Sequence, residues 1–296
     1  MSRQNSFPRR KRLLSYLAAL VVGPLVVWAA EPVRIEKTFD TIPDPEVSLS
    51  NMRGQVVVRG WEKDQVHTIC NVASPRMEID TETIPHTGKA ERLQLKAHAV
   101  DPSVTPSEEN ADCTLDVPAG ASIDIQNRQG SIQIEKLTGQ HARLESADAN
   151  ITATDVGGHL TARSMRGDID VVRPAGRVEA YSITGNLKFT DPTSKDLRAN
   201  TNSGHISYQG DFAPAGQYIL STYSGNIAVV LPPSASFELT AKTVKGKVEN
   251  AFSLKPARHT TLPFPSANSL FGTYRTGNAT VELTSFSGRI NLRPQP

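Results

Sequence analysis

One twelve-residue pattern recurs along the chain and limits what it can fold into: apolar-x-apolar-x-[Asn/Ser/Thr]-x-x-Gly-x-apolar-x-apolar. It has nine copies. The first runs from Val47 to Val58 around Gly54; seven more are centred on Gly130, Ala149, Gly167, Gly185, Gly204, Gly225 and Gly246; the last is centred on Gly288. The middle seven centres step by 18 to 21 residues, and the final step is 42, twice 21. That last interval predicts one degenerate or looped-out coil between Gly246 and Gly288.

The slot three residues before the centre reads Asn51, Asn127, Ser146, Ser164, Ser182, Thr201, Thr222, Thr243 and Ser285. Apolar residues or Tyr fill the four apolar slots of every copy except at Asn250. Alternation on both sides of the centre is the period of a half-buried strand. Glycine at the centre permits a positive φ at a bend where a Cβ would clash. An Asn, Ser or Thr nearby can bond the backbone groups a bend leaves unpaired. Each unit is therefore two short strands joined by a corner. A second turn links it to the next unit, often through glycine, as at Gly139, Gly157-Gly158, Gly176 and Gly216.

One such unit cannot bury its apolar face alone, but stacked units can. The fold class expected is all-β: a single-stranded β-solenoid, a β-helix-like stack of 18–21-residue coils, with a less regular N-terminal β region. The competing architecture is an antiparallel meander closed into a sandwich or barrel, which needs neither equal spacing nor a matching corner residue. Residues 31–120 hold one clear copy, then strand-like runs at Val66–Val72, Met77–Thr81 and Glu91–Val100, with a polar loop at Asp101–Asn110. They read as the end of the same stack closing its open edge, or as a separate small β domain.

The first thirty residues stand apart. Arg3, Arg9, Arg10, Lys11 and Arg12 precede an apolar run from Leu13 to Ala30 that ends Val27-Trp28-Ala29-Ala30. This is the layout of a cleaved secretory signal; the alternative is an uncleaved anchor tethering the protein to a membrane. The expected division is thus 1–30 signal or anchor, 31–120 N-terminal β region or cap, and 121–296 repeat solenoid, in an exported protein of the periplasm or cell surface. Residues 1–30 carry five of the 32 Lys/Arg and none of the 30 Asp/Glu, so the remainder has 27 against 30, a net of −3. That balance disfavours a nucleic-acid binder. Cys70 and Cys113 both lie in the exported part, where a structural disulfide is expected and two buried thiols are the alternative.

The segment Gly54-Gln-Val-Val-Val-Arg-Gly-Trp61-Glu-Lys-Asp64-Gln-Val66 resembles the opening of a bacterial family of exported β-strand-repeat proteins, catalogued as candidate adhesins with a domain of unknown function. Cys113-Thr-Leu-Asp-Val-Pro118-Ala-Gly120-Ala-Ser-Ile123 looks like its next landmark, and copies such as Ser164–Ile169 and Thr222–Ile227 look like its repeats. The resemblance covers nearly all of residues 45–296. It implies the fold and an adhesive role inferred from architecture, and it carries no catalytic residues.

Some β-helix proteins cleave polysaccharides, which needs acids or bases clustered on the outer face of neighbouring coils. Asp168 and Asp170 flank the inward Ile169, and Lys188 and His205 occupy nearby slots on the following coils. These four can form a small polar patch; the ordinary reading is a solvated ladder with an Asp170–Lys188 surface pair. The seven histidines are scattered, and neither a zinc motif, a Walker loop, a G-x-S-x-G elbow nor a dinucleotide fingerprint occurs. No catalytic, cofactor-binding or metal-ligating residue is assigned. The apolar, Pro-bearing segment 251–278 includes Phe252, Leu254, Leu262, Phe264, Leu270 and Phe271, and reads as a cap on the stack or as a contact surface.

The function expected is that of a non-enzymatic adhesin or envelope binding module whose partner is a glycan or protein of the envelope or surface. A periplasmic scaffold that self-associates end to end is the second reading, and a carbohydrate-active enzyme the third.

Overall fold

The computed structural model describes residues 33–101, 103–256 and 268–296. The basic head and apolar run of residues 1–30 lie outside the described residues, as do Arg258, His259, Leu262, Pro263, Phe264 and Pro265.

Alternation in sequence becomes alternation in burial. The strands in chain order are β1 Val33–Trp61, β2 Gln65–Val72, β3 Met77–His86, β4 Lys89–Ala99, β5 Ala111–Pro118, β6 Ser122–Leu137 and β7 His141–Val156. From there the coils break into pairs: β8 His159–Ser164 with β9 Ile169–Val172, β10 Arg177–Ser182 with β11 Leu187–Thr190, and β12 Asp196–Thr201 with β13 Ile206–Gln209. Two more pairs are β14 Gln217–Thr222 with β15 Ile227–Leu231, and β16 Phe237–Thr243 with β17 Val248–Asn250. The chain ends with β18 Ser269–Tyr274, β19 Ala279–Ser285 and β20 Ile290–Pro294.

Each coil lays its first strand in one row and its second in another, and neighbouring coils pair in parallel with equal slots opposite. Val178 faces Leu197, which faces Tyr218; Leu187 faces Ile206, which faces Ile227. The apolar slots meet between the rows in one continuous core, where Tyr208, Tyr218, Phe189 and Phe237 are the largest fully buried side chains. The fold is the β-solenoid-like stack expected. Glu31–Pro296 forms one compact unit that contains this whole core, so it has what it needs to fold without residues 1–30.

The corner row explains the Asn/Ser/Thr slot. All of these side chains but Ser146 donate across to the carbonyl of the coil stacked beneath, for example Asn127 to Gly54 (2.8 Å), Thr201 to Gly185 (2.9 Å), Thr222 to Gly204 (3.0 Å) and Ser285 to Gly225 (3.1 Å). Several hydroxyls also accept from the N–H of their own centre, as Ser182 does from Gly185 (2.8 Å). The glycine has a different reason from the one expected. Among the centres only Gly54 (φ 126°) and Gly130 (φ 116°) are left-handed. At Gly185, Gly204, Gly225 and Gly288 a Cβ would overlap the carbonyl oxygen of the centre stacked beneath it. Close approach of coil on coil, more than chain reversal, excludes a side chain there.

The order of coils in space corrects the reading of the 42-residue interval. No further coil lies between Gly246 and Gly288 among the described residues; the interval holds the antiparallel β18. Instead β19 pairs with β14 on one side and β16 on the other, and β20 lies between β15 and β17. The last coil in sequence is therefore inserted between the Gly225 and Gly246 coils. The N-terminal end repeats the arrangement. β1 pairs with β6 on one side, and with β4 and β5 on the other. Leu93 and Leu95 face Val47 and Leu49, and Cys113 and Leu115 face Val56 and Val58, so β4 and β5 together make a tenth coil. Its corner is expanded into the loop that includes Asp101–Asn110, which hid it from the repeat pattern.

Both ends are closed. At one end β3 runs antiparallel to β4, and β2 lies antiparallel between β5 and Val33–Asp40. Cys70 and Cys113, directly opposite each other on β2 and β5 and both buried, are joined by a disulfide. At the other end β18 runs antiparallel to β16, and the buried Phe252 packs its ring on Phe237 (5.5 Å) and Tyr274 (4.9 Å). Leu254 and Leu270 pack on the same core. The outermost strands are charged, like β3 with Glu78, Asp80 and Glu82, or short, like β17, and such edges discourage further strand pairing.

Candidate functional site

A solenoid with closed ends offers its long sides. On the row of first strands the outward side chains form a charged mesh: Arg143–Glu145 (2.8 Å), Arg177–Glu179 (2.8 Å) and Arg177–Asp196 (3.4 Å). These partners are all substantially exposed except Glu179, and exposed pairs contribute little stability.

The four polar residues singled out from the sequence lie on the opposite row and its corner. Asp170 and Lys188 face each other on β9 and β11 and pair at 3.1 Å. Asp168 and His205 belong to a second backbone ladder, one residue past the centres. There Asn150 Oδ1 accepts from the Asp168 N–H (3.0 Å), and Asp168 Oδ1 from that of Asn186 (2.7 Å). Asn186 Oδ1 accepts from His205 (2.9 Å), His205 Nδ1 from Asn226 (3.0 Å), and Asn226 Oδ1 from Arg289 (2.8 Å). Each side chain caps an N–H that the break between paired strands leaves unbonded. Accepting at Nδ1 places the His205 ring proton on Nε2. These groups hold the corner, and their acceptor atoms point along the stack axis at the next coil.

The antiparallel pair β3–β4 brings together three groups that the sequence leaves scattered. Glu78, Asp80 and His98 place one ligating atom each within 4.8 Å of one another, and His98 Nδ1 lies 3.4 Å from Asp80. Glu78 and His98 are direct cross-strand partners, so the signal lay in strand pairing rather than in spacing. Glu78 and Asp80 are exposed.

The slot two residues before each centre carries only an x in the repeat pattern. It faces solvent at the corner, yet is apolar in seven of the nine copies: Met52, Ala147, Met165, Ile183, Tyr223, Phe286 and Val244, with Arg128 and Asn202 the exceptions. Met165, Ile183, Tyr223 and Val244 are 54%, 48%, 55% and 60% exposed. The next residue along is never apolar: Arg53, Gln129, Asp148, Arg166, Thr184, Ser203, Ser224, Ser287 and Lys245. Backbone bonds continue around this corner, for example from Tyr223 N to Thr201 O (3.2 Å) and from Phe286 N to Thr222 O (3.2 Å), so the side chains form a ridge along the axis, apolar in two stretches of three coils, Ala147 to Ile183 and Tyr223 to Val244, that Asn202 divides. Two shallow depressions of about 390 and 320 Å³ lie along it, one beside Tyr223, Phe286 and Val244, the other beside Met52, Ala147 and Met165. The legible signal was a third period-matched slot, apolar in seven of nine copies where the pattern carried only an x.

Residues 178–293 match the Toastrack DUF4097 family. That match spans the coils from β10 to β20 and agrees with the family resemblance of the repeats. No curated protein matches the chain. Among solved structures, the chain is similar to a candidate adhesin from Bacteroides fragilis, with 10% identity, TM-score 0.45, and 89% of this chain and 97% of the other covered. A candidate cell adhesion protein from Clostridium sporogenes aligns with 10% identity, TM-score 0.29, and 90% and 100% coverage. A candidate lipid binding protein from Parabacteroides distasonis aligns with 9% identity, TM-score 0.29, and 89% and 97% coverage.

Proposed function

We propose that the chain is an exported, non-catalytic binding module that presents the long sides of a rigid β-stack to a component of the cell envelope. The observation that carries this reading is the closure of both ends. Antiparallel strands, with a disulfide at one end and an aromatic plug at the other, cover the outer coils, and among the described residues only the three-residue β17 leaves a parallel edge uncovered, too short a row for a second stack to continue on. Contacts must then be made by the sides, which favours a binding module over an end-to-end scaffold. The Asp168 and His205 side chains are committed to backbone bonds, which speaks for a structural part rather than acid–base chemistry. The basic head and apolar run of residues 1–30 support export, and the Cys70–Cys113 bridge suits an oxidising compartment.

Site-specific photo-crosslinking in intact cells tests the proposal. A photoreactive residue at Lys188 or Ile183, on the sides, should capture an envelope component. Capture only from Glu82 or Glu249, at the ends, and only of further copies of this chain, would favour the scaffold instead.

A further inference from the structure

Resting on the binding-module reading, we propose that the corner ridge docks on an anionic lipid surface, through its end near the Gly246 coil. There the ridge residues are the exposed Tyr223 and Val244, with the half-buried Phe286 between them, on three successive coils. They cover two coil steps, about 10 Å at ordinary strand spacing, and Asn202 on the next coil separates them from Ile183. Exposed, contiguous apolar side chains in a row are rare on a surface without a partner.

The charge around this end names the partner. Lys242, Lys245 and Lys247 flank Val244 on the same coil, and Arg289 sits beside them on the neighbouring one. Among the described residues none of the three lysines has a carboxylate within ion-pair distance, and Arg289 pairs with Glu249 at 3.5 Å. A shallow basin of about 480 Å³ opens between Lys245, Lys247 and Arg289. This cationic cluster belongs to a chain that is net −3 beyond residue 30, so the charge is local and directional. Apolar tips ringed by lysines match a headgroup layer, where the tips enter the acyl boundary and the ammonium groups stay among the phosphates.

Ring geometry separates lipid from sugar. Tyr223 and Phe286 stack face to face, with centroids 4.6 Å apart and planes 3° from parallel. On its far side Phe286 meets Lys245, 5.1 Å from the ring centre. A sugar would stack on an open ring face, and the faces of Phe286 are taken. What remains is ring edge and one face of Tyr223, and the edges suit insertion between lipids.

The test is flotation of residues 31–296 with phosphatidylcholine vesicles, with and without phosphatidylglycerol. Binding should require phosphatidylglycerol and weaken with salt. Changing Lys242, Lys245 and Lys247 to Gln should lower partitioning roughly 100-fold, at the usual contribution of a basic residue near an anionic surface. Tyr223→Ser, Phe286→Ser and Val244→Ser together should abolish flotation while the circular-dichroism spectrum stays that of the parent. The proposal is overturned if the parent does not float with phosphatidylglycerol vesicles, or if the serine triple floats equally well. Equal affinity of parent and serine triple for soluble dextran sulfate, without flotation, would also overturn it and assign the lysines to a soluble polyanion. Crosslinks from Lys188 that persist in a protein unable to float would remove the lipid partner alone and leave the binding module standing.

Discussion

Replacing Ser285 with alanine deletes one oxygen and strands two buried backbone groups. The hydroxyl donates to Gly225 O at 3.1 Å and accepts from the Gly288 N–H at 2.8 Å. Ser285 is 1% exposed, so water does not take over either bond. A buried polar group left unpaired costs about 1–3 kcal/mol, and two such groups, partly relaxed, put the loss at about 2–4 kcal/mol. Alanine differs from serine by that one oxygen, so the cavity contribution is small. Ser285→Thr is the control. Thr201, Thr222 and Thr243 fill the same slot in other coils and make the same carbonyl bond at 2.9, 3.0 and 3.0 Å. It should cost less than about 1 kcal/mol, the usual range of a tolerated conservative change. Urea unfolding of residues 31–296, followed by far-UV circular dichroism, should show a lower midpoint for Ser285→Ala with an unchanged slope. A shift below about 0.5 kcal/mol, the usual scale of an inconsequential surface change, or an equal loss for the threonine, would refute the claim that the hydroxyl holds coil to coil.

Other consequences follow from the ends of the stack. Cys70 and Cys113 are 43 residues apart in sequence, so changing both to alanine should cost about 4 kcal/mol on the loop-entropy relation, read as a fall in the unfolding midpoint that reductant reproduces in the parent. The Glu108 carboxylate accepts from the Thr105 N–H (2.9 Å) and hydroxyl (2.8 Å) and from Arg76 (2.5 Å), which holds its pKa down at about 2. A lowered carboxyl pKa stabilises above the ordinary value of 4.5, and that contribution is lost as pH falls through about 2. The carboxyl carbon shift of Glu108 should therefore titrate near pH 2, and a midpoint at 4.5 would remove the loop clamp. Deleting residues 279–296 takes out the layer between β14–β15 and β16–β17, so hydrogen exchange should show protection lost on both sides of the gap; loss confined to β16–β17 would contradict the insertion.

The repeat was legible because each slot has one physical job. Leu187 and Ile206 alternate with polar neighbours because one face of the strand is buried, and Thr201 recurs as Ser or Asn because the carbonyl stacked beneath needs a donor. The order of coils was not legible, for the same reason. Slots that match in every copy let any coil stack on any other, so nothing in the pattern says that Leu283 meets Leu220 on one side and Ala241 on the other. The tenth coil was hidden because Leu95 and Ala111, which a regular coil keeps five residues apart, are here separated by a loop. The Tyr223 ridge was not legible because an exposed apolar slot, polar at Arg128 and Asn202, falls outside the alternation that marks a buried face. Asp168 and His205 looked like candidate chemistry because a sequence does not show that a side chain is spent on the backbone of the next coil.

The two ends share one device. In each, the coil nearest the chain terminus is second from the end, with an out-of-order coil stacked outside it. Corner bonds run the same way through both exchanges: Asn51 donates to Ala111 O (2.9 Å), Ser285 to Gly225 O, and Thr243 to Gly288 O (3.0 Å). The polarity of the stack is thus independent of chain order. A stack built only from sequential neighbours closes contacts about twenty residues apart and can fray from its last coil. Here the Gly246 coil reaches its place only once the Gly288 coil lies beneath it, through contacts such as Ser285 to Gly225, 60 residues apart. Closing so long a loop slows that step, because its entropy is lost before the contacts form. In return the last coil is paired on both sides, so it leaves only when the outer coil and its aromatic plug leave too. This end of the stack is thereby interlocked, and it is the part that carries the lysine-ringed end of the ridge.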